Sequence, residues 1–255
     1  MRRLSAAALI GVLAGAVHGA EPSPRKSGAD FMSPSTQAMQ RDDTQNPAML
    51  WIQGGEALWN AKAGKADRSC ASCHGDARTS MRGVAARYPA FDRAAGKAIT
   101  LGQRIDMCRQ GAQQAPALKP ESDDLLSLES HVAMQSRGMP MAPPRDPGTR
   151  AAAERGRQLY TRRIGQLNLS CAQCHDDNWG RKLAGATIPQ GHANAYPIYR
   201  LEWQAMGSLQ RRLRNCMSGV RAEVPAFGAQ ELVDLEAYLA LRAHGMPLET
   251  PGVRP

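Results

Sequence analysis

Cys171-Ala172-Gln173-Cys174-His175 has an earlier twin at Cys70-Ala71-Ser72-Cys73-His74, 101 residues upstream. C-x-x-C-H is the attachment signature of a c-type haem. Two thiols at that spacing add across the two vinyl groups of one porphyrin, and the adjacent histidine then ligates the iron. A thioredoxin-like redox pair and half of a zinc site use the same cysteine spacing. The redox pair has no need of the following histidine, and a four-cysteine zinc site would leave both histidines idle. The expectation is two covalently bound haem c groups, one on Cys70, Cys73 and His74, the other on Cys171, Cys174 and His175.

At the start of the chain, Met1-Arg2-Arg3 leads into an apolar run from Leu4 to Val17, with small residues through Ala20. Residues 1–20 read as a secretory signal peptide, cleaved between Ala16 and Ala20. That run is too short to span a bilayer and no later segment is long enough. The expected mature protein is soluble, without a membrane span, in a bacterial periplasm. The formal charge of +9 falls to +7 once Arg2 and Arg3 are removed. Export argues against nucleic acid as the partner, so anionic substrates or acidic proteins fit the basic surface better. An exported chain with six cysteines would ordinarily hold disulfides. Here four are claimed by haem, which leaves Cys108 and Cys216.

The two halves match beyond the haem motifs. Gly55-Glu56-Ala57-Leu58-Trp59 corresponds to Gly156-Arg157-Gln158-Leu159-Tyr160, and Leu125 to Pro140 corresponds to Leu232 to Pro247. Both copies end in Gly-Met-Pro, at Gly138-Met139-Pro140 and Gly245-Met246-Pro247. Apolar residues at i, i+3, i+4 and i+7 make each of these last segments an amphipathic helix closed by glycine. Each half therefore runs helix, haem motif, variable loops, helix. The expected fold class is mainly α, with two tandem class I cytochrome c-like domains, long loops and an extended N-terminal arm. The boundaries are 21–48 for the arm, 49–140 for the first domain, 141–150 for a Pro-rich linker and 151–255 for the second domain. With only three Phe, four Trp and five Tyr, much of each core must be haem.

In cytochromes c the sixth iron ligand is commonly a methionine between the haem motif and the last helix. In both halves that place holds a cysteine, Cys108 in Arg104-Ile-Asp-Met-Cys108 and Cys216 in Arg212-Leu-Arg-Asn-Cys216. The preferred metal sets are His74 with Cys108 for the first iron and His175 with Cys216 for the second. Equivalent positions in duplicated domains do not meet, which disfavours a Cys108–Cys216 disulfide. Met107 and Met217 neighbour these cysteines, Met139 and Met246 follow the final helices, and His131 matches Tyr238, so each is the weaker ligand candidate. Thiolate ligation donates charge to iron and lowers its potential, which is poor for a high-potential shuttle and suits sulfur chemistry.

These features resemble the SoxA family, the catalytic subunits of the SoxAX cytochromes of sulfur-oxidising bacteria. The resemblance rests on the export signal, the paired C-x-x-C-H motifs, the segment Arg211-Arg212-Leu213-Arg214-Asn215-Cys216, and Val220-Arg221-Ala222-Glu223 after it. It implies an L-cysteine S-thiosulfotransferase that pairs with SoxX, a small monohaem cytochrome c. Together they join thiosulfate oxidatively to a cysteine of the carrier SoxYZ and release two electrons. It further implies that Cys216 ligates the active-site haem and carries a persulfide, that Arg212 lies beside it, and that Cys108 is the distal ligand of the first haem.

The chemistry of the residues agrees. A guanidinium forks onto anionic oxygens, and residues four apart share a helix face, so Arg212 can stand next to Cys216. Arg104 stands in the same relation to Cys108. Asp106 is expected to offset Arg104, while nothing offsets the arginines before Cys216. Two other readings remain open here: a stand-alone thiosulfate dehydrogenase forming tetrathionate, and a plain dihaem electron-transfer protein with His/Met or His/His ligation.

Overall fold

The computed structural model describes residues 24–255; the expected signal peptide lies outside the described residues. The repeat is built on four helices per half. In the first half these are α2 (Met49–Asn60), the haem-motif turn α3 (Cys70–His74) with the short α4 (Ala77–Ser80) behind it, α5 (Leu101–Cys108) and α6 (Asp123–Met134). In the second half they are α7 (Pro147–Thr161), α8 (Cys171–His175), α9 (Leu209–Gly219) and α10 (Gln230–Arg242). The serines that start the two haem-motif helices repeat as well. Ser69 and Ser170 cap the two haem-motif helices, each in a reciprocal capping box with the residue three further on. Ser122 caps α6, Ser208 caps α9, and Asp146 followed by Pro147 starts α7.

Within each half the first and last helices cross, α2 on α6 and α7 on α10. The crossings are close because each is made at a glycine. A β-carbon on Gly55 would collide with the carbonyl oxygen of Ser127, and one on Gly156 with that of Asp234. Gly55 and Gly156 are matched positions of the repeat, so the sequence similarity there records a packing requirement. Bidentate hydrogen bonds from Arg155 to the buried Asp234, at 2.6 and 2.9 Å, brace the second crossing.

Short hairpins fill the loops between helices. In the first half β1 (Ala90–Asp92) pairs with β2 (Lys97–Ile99). In the second, β3 (Lys182–Leu183) pairs with β4 (Ala186–Thr187), and β5 (Ile198–Arg200) pairs antiparallel with β6 (Ala205–Gly207). The last strand, β7 (Gly252–Arg254), adds parallel to β5.

The halves are joined more intimately than a linker at 141–150 suggests, and α7 already begins at Pro147. One core cluster holds Leu128 and Val132 of α6 together with Ala240, Ala243, Met246 and Leu248. Ala98 of β2 packs among Ala152, Ala153, Val233 and Ala237 of α7 and α10. The two Gly-Met-Pro segments pair with each other, Met141 N donating to Met246 O at 2.9 Å and Gly245 N to Met141 O at 2.7 Å.

The N-terminal arm is not simply extended. It carries a turn at Gly28–Phe31 and a helix α1 (Pro34–Arg41), capped by Ser33 with Pro34 in its first turn. It wraps on the C-terminal strand: Val253 N donates to Gln40 Oε1 at 3.0 Å and Asn46 Nδ2 to Pro251 O at 3.0 Å. Its first described residues reach the second haem motif's side of the molecule, where Lys26 N donates to Gln190 and Arg25 to His244 O, both at 2.7 Å. Among the described residues no helix is long and apolar enough to cross a membrane.

Candidate active site at Cys216

The capped helix α8 sets the orientation of His175. Its Nδ1 lies 2.7 Å from the carbonyl oxygen of Pro189. A carbonyl only accepts, so Nδ1 carries the proton and the Nε2 lone pair is left for a metal, the arrangement expected of a ligating histidine. The floor beneath is braced: Asp176 accepts hydrogen bonds from Tyr160 Oη at 2.9 Å and from Arg242 at 2.6 Å. In the first half the matched Trp59 does the same work, donating from Nε1 to Gly75 O at 3.0 Å and standing 5.7 Å from the His74 ring.

α9 brings Cys216 onto this histidine. Burial pushes the Cys216 thiol up, but the neighbouring His175 ring and the guanidinium charges of Arg212 and Arg200 outweigh it and hold the group below its ordinary value. Cys171 lies close enough to Cys216 to feel its charge, and burial pushes Cys171 up to about 11. Cys171, Cys174, His175 and Cys216 thus converge as a haem c donor set requires, and all six cysteines are free of disulfides. In the first half Cys108 ends α5 on the side of Cys70, whose thiol is likewise raised by burial, but Cys108 is exposed.

The rival ligands lie elsewhere. Met217 and Met246 are core residues, and His131 is buried beside Trp59, where burial lowers its affinity for a proton. Met139 packs over Gly83.

The three arginines before Cys216 divide. Arg211 lies over the Trp203 ring at 4.1 Å, and Arg214 lies over Phe227 at 4.2 Å and donates to Pro225 O. Arg212 alone among the three points its charge at Cys216, and its guanidinium has no hydrogen-bond or ion-pair partner among the described residues, its backbone N–H donating to Ser208 O. The first half differs, though not through Asp106. Arg104 is paired with Asp92 of β1 and donates to Tyr88 Oη at 3.3 Å, while Asp106 accepts from Leu118 N at 2.9 Å. Residues two apart on a helix point away from each other, which is why Asp106 does not serve. Arg200 on β5 is the site residue that reading the sequence missed, since nothing local ties a strand residue to a helix twelve positions on.

The family described as SoxA/TsdA, cytochrome c domain, matches residues 54–141 and again 155–248. The L-cysteine S-thiosulfotransferase subunit SoxA of Pseudaminobacter salicylatoxidans is 39% identical over 229 residues, covering 89% of this chain and 80% of that protein. The subunit of the same name from Rhodovulum sulfidophilum is 35% identical over 229 residues, covering 90% and 80%. The crystal structure of SoxXA from P. pantotrophus superposes with a TM-score of 0.87 at 35% identity, covering 91% of this chain and 87% of that one. The duplicated haem-motif halves, the cysteine at the end of α9 and these likenesses agree: the chain belongs to the SoxA family of cytochromes c.

Proposed function

We propose that this chain oxidatively couples thiosulfate to a cysteine of a SoxYZ-like carrier protein and passes two electrons to a SoxX-like monohaem cytochrome. The observation that carries this is the convergence of His175, Cys216 and the unpaired Arg212 in the second half, where the first half holds a neutralised Arg104. The net reaction is carrier–SH plus thiosulfate dianion giving carrier–S–S–SO3⁻, one proton and two electrons. It forms one S–S bond at the sulfane sulfur and breaks the carrier's S–H bond.

Two haem c groups would be held by Cys70, Cys73 and His74, with Cys108, and by Cys171, Cys174 and His175, with Cys216. When bound, haem supplies an electron acceptor beside the Cys216 sulfur. The chain's own residues do the rest. Arg212 binds the anion and turns its sulfane sulfur toward Cys216. The site is half-buried, which lowers the screening of that contact by water and strengthens it. The Cys216 sulfur, with or without an extra sulfur as a persulfide, can form an S–S bond to the sulfane sulfur as two electrons leave. The carrier's thiolate then breaks that bond, taking the –S–SO3⁻ group and freeing the Cys216 sulfur, which divides one hard oxidation into two easier steps. The reading includes export, removal of residues 1–20 and a periplasmic location.

Peptide-mapped mass spectrometry of the purified mature protein tests it. One extra sulfur on the Cys216 peptide, and its absence from the Cys108 peptide, is the expected result. An unmodified Cys216 in the unaltered protein, together with undiminished thiosulfate turnover by the Cys216→Ala variant, would overturn it.

A further inference from the structure

The duplication provides an internal comparison at the distal side of each site. Tyr88-Pro89 and Tyr196-Pro197 are matched, and counting on from them sets Asp92 of β1 against Arg200 of β5 and Arg104 of α5 against Arg212 of α9. In the first half this pair is an ion pair, with the Asp92 side chain 10% exposed. In the second half the carboxylate is replaced by a second guanidinium. Arg200 and Arg212 lie within range of each other's charge, and both act on Cys216.

Arg200 is not a solvated surface residue. Its side chain is 12% exposed, lies over the Trp203 ring at 5.1 Å, and makes one ion pair, at 2.7 Å, to a half-exposed Glu202. Its Nε is buried and has no partner among the described residues. Two like charges brought together with unfilled donors are costly unless something neutralises them. Hydrogen bonds from guanidinium to an oxyanion are the strong, charge-assisted kind, and two planar forks can share a tetrahedral group of three oxygens.

We propose that Arg200 and Arg212 form a two-guanidinium subsite for the sulfonate oxygens of a sulfur dianion, with Arg200 as a substrate-positioning residue. The subsite selects divalent oxyanions bearing a terminal sulfur that can face Cys216. Asp92 abolishes the same subsite in the first half by neutralising Arg104. The proposal rests on the thiosulfate reading above.

The test uses the haem-loaded protein with its cytochrome partner, thiosulfate as ligand, and the variants Arg200→Gln, Arg200→Lys and Arg200→Asp. Binding is followed by calorimetric titration, and KM and kcat are measured separately. Arg200→Gln should weaken thiosulfate binding by about 10–100-fold, with KM rising more than kcat falls. Arg200→Lys should recover part of that loss. Arg200→Asp, which recreates the first half's ion pair on Arg212, should lose the most. Sulfite and sulfate should compete with thiosulfate in the unaltered protein and much less in Arg200→Gln. The visible haem spectrum should be unchanged throughout, which a merely structural role for Arg200 would not preserve. Thiosulfate affinity within twofold of normal in Arg200→Gln, in a preparation whose unaltered protein binds and turns over thiosulfate, overturns the subsite and leaves the proposed function standing. An unaltered protein that neither binds nor turns over thiosulfate overturns both.

Discussion

Gly156 of α7 lies directly against the backbone carbonyl of Asp234 on α10, so that a β-carbon there would occupy the same space as the oxygen and approach the Tyr238 Cβ to 2.9 Å. Neither obstacle is the far end of a flexible side chain, so the helices themselves must part. Gly156→Ala should destabilise the protein by about 2–3 kcal/mol, lowering Tm by about 5–10 °C in calorimetry. An unchanged Tm would show that the crossing is looser than described.

Arg212 touches no partner that the fold needs. Arg212→Ala should lower kcat/KM for thiosulfate by about 100-fold, the scale of losing one charged donor to a developing or bound anion, while Tm moves by no more than a few degrees. Parallel losses of activity and stability would assign Arg212 to the fold instead.

Cys108 and Cys216 should behave differently. Cys216 is half-buried beside His175, whereas Cys108 is exposed at the end of α5. Cys216→Ala should reduce turnover by at least about 1000-fold, and Cys108→Ala should leave it within a few fold. Haem absorption spectra of both variants report whether each site still holds its group. The reverse ranking would move the chemistry to the first half.

A cavity of about 140 Å³ between the halves is lined by Glu129 and Glu236, matched residues of α6 and α10. Removal from bulk water, and for Glu129 the nearby charges of Glu236, Glu121 and Asp106, push Glu129 up to about 8; burial and Glu121 push Glu236 up to about 7. A carboxyl raised in the folded state binds its proton more tightly there than in the unfolded chain. Its contribution is whole below the unfolded value near 4.5 and is lost as pH rises toward 8. Stability should therefore fall from pH 5 to pH 8.5, and Glu129→Gln should flatten that fall, raising Tm by a few degrees at pH 8.5 and leaving it unchanged at pH 5. A variant that follows the parent curve at both pH values would contradict this.

The parts of this molecule that were legible in the sequence are those that local chemistry dictates. C-x-x-C-H marks its own function, the 3.6-residue period with Ser122 ahead marks α6, and the glycines of the two crossings show in the repeat because backbone contact tolerates nothing else. Cys216 and Arg212 were legible because four residues on a helix bring two side chains together. What could not be read is what distant segments do to each other. The pairing of the two Gly-Met-Pro segments depends on how the halves dock, and the arm's helix is held by Gln40 and Asn46 against a strand some two hundred residues away. Arg200 belongs to the same class. Aligning the two Tyr-Pro dipeptides would have set it against Asp92, and the reversal of charge was the available signal.

The most direct test of the central claim is product analysis after mixing the haem-loaded protein, its monohaem partner, a SoxYZ-like carrier and thiosulfate. The carrier's cysteine should gain a thiosulfonate group, seen by intact-protein mass spectrometry, with two electrons delivered to the cytochromes per adduct and none without the carrier. Tetrathionate in solution beside an unmodified carrier would contradict the account and make the protein a thiosulfate dehydrogenase.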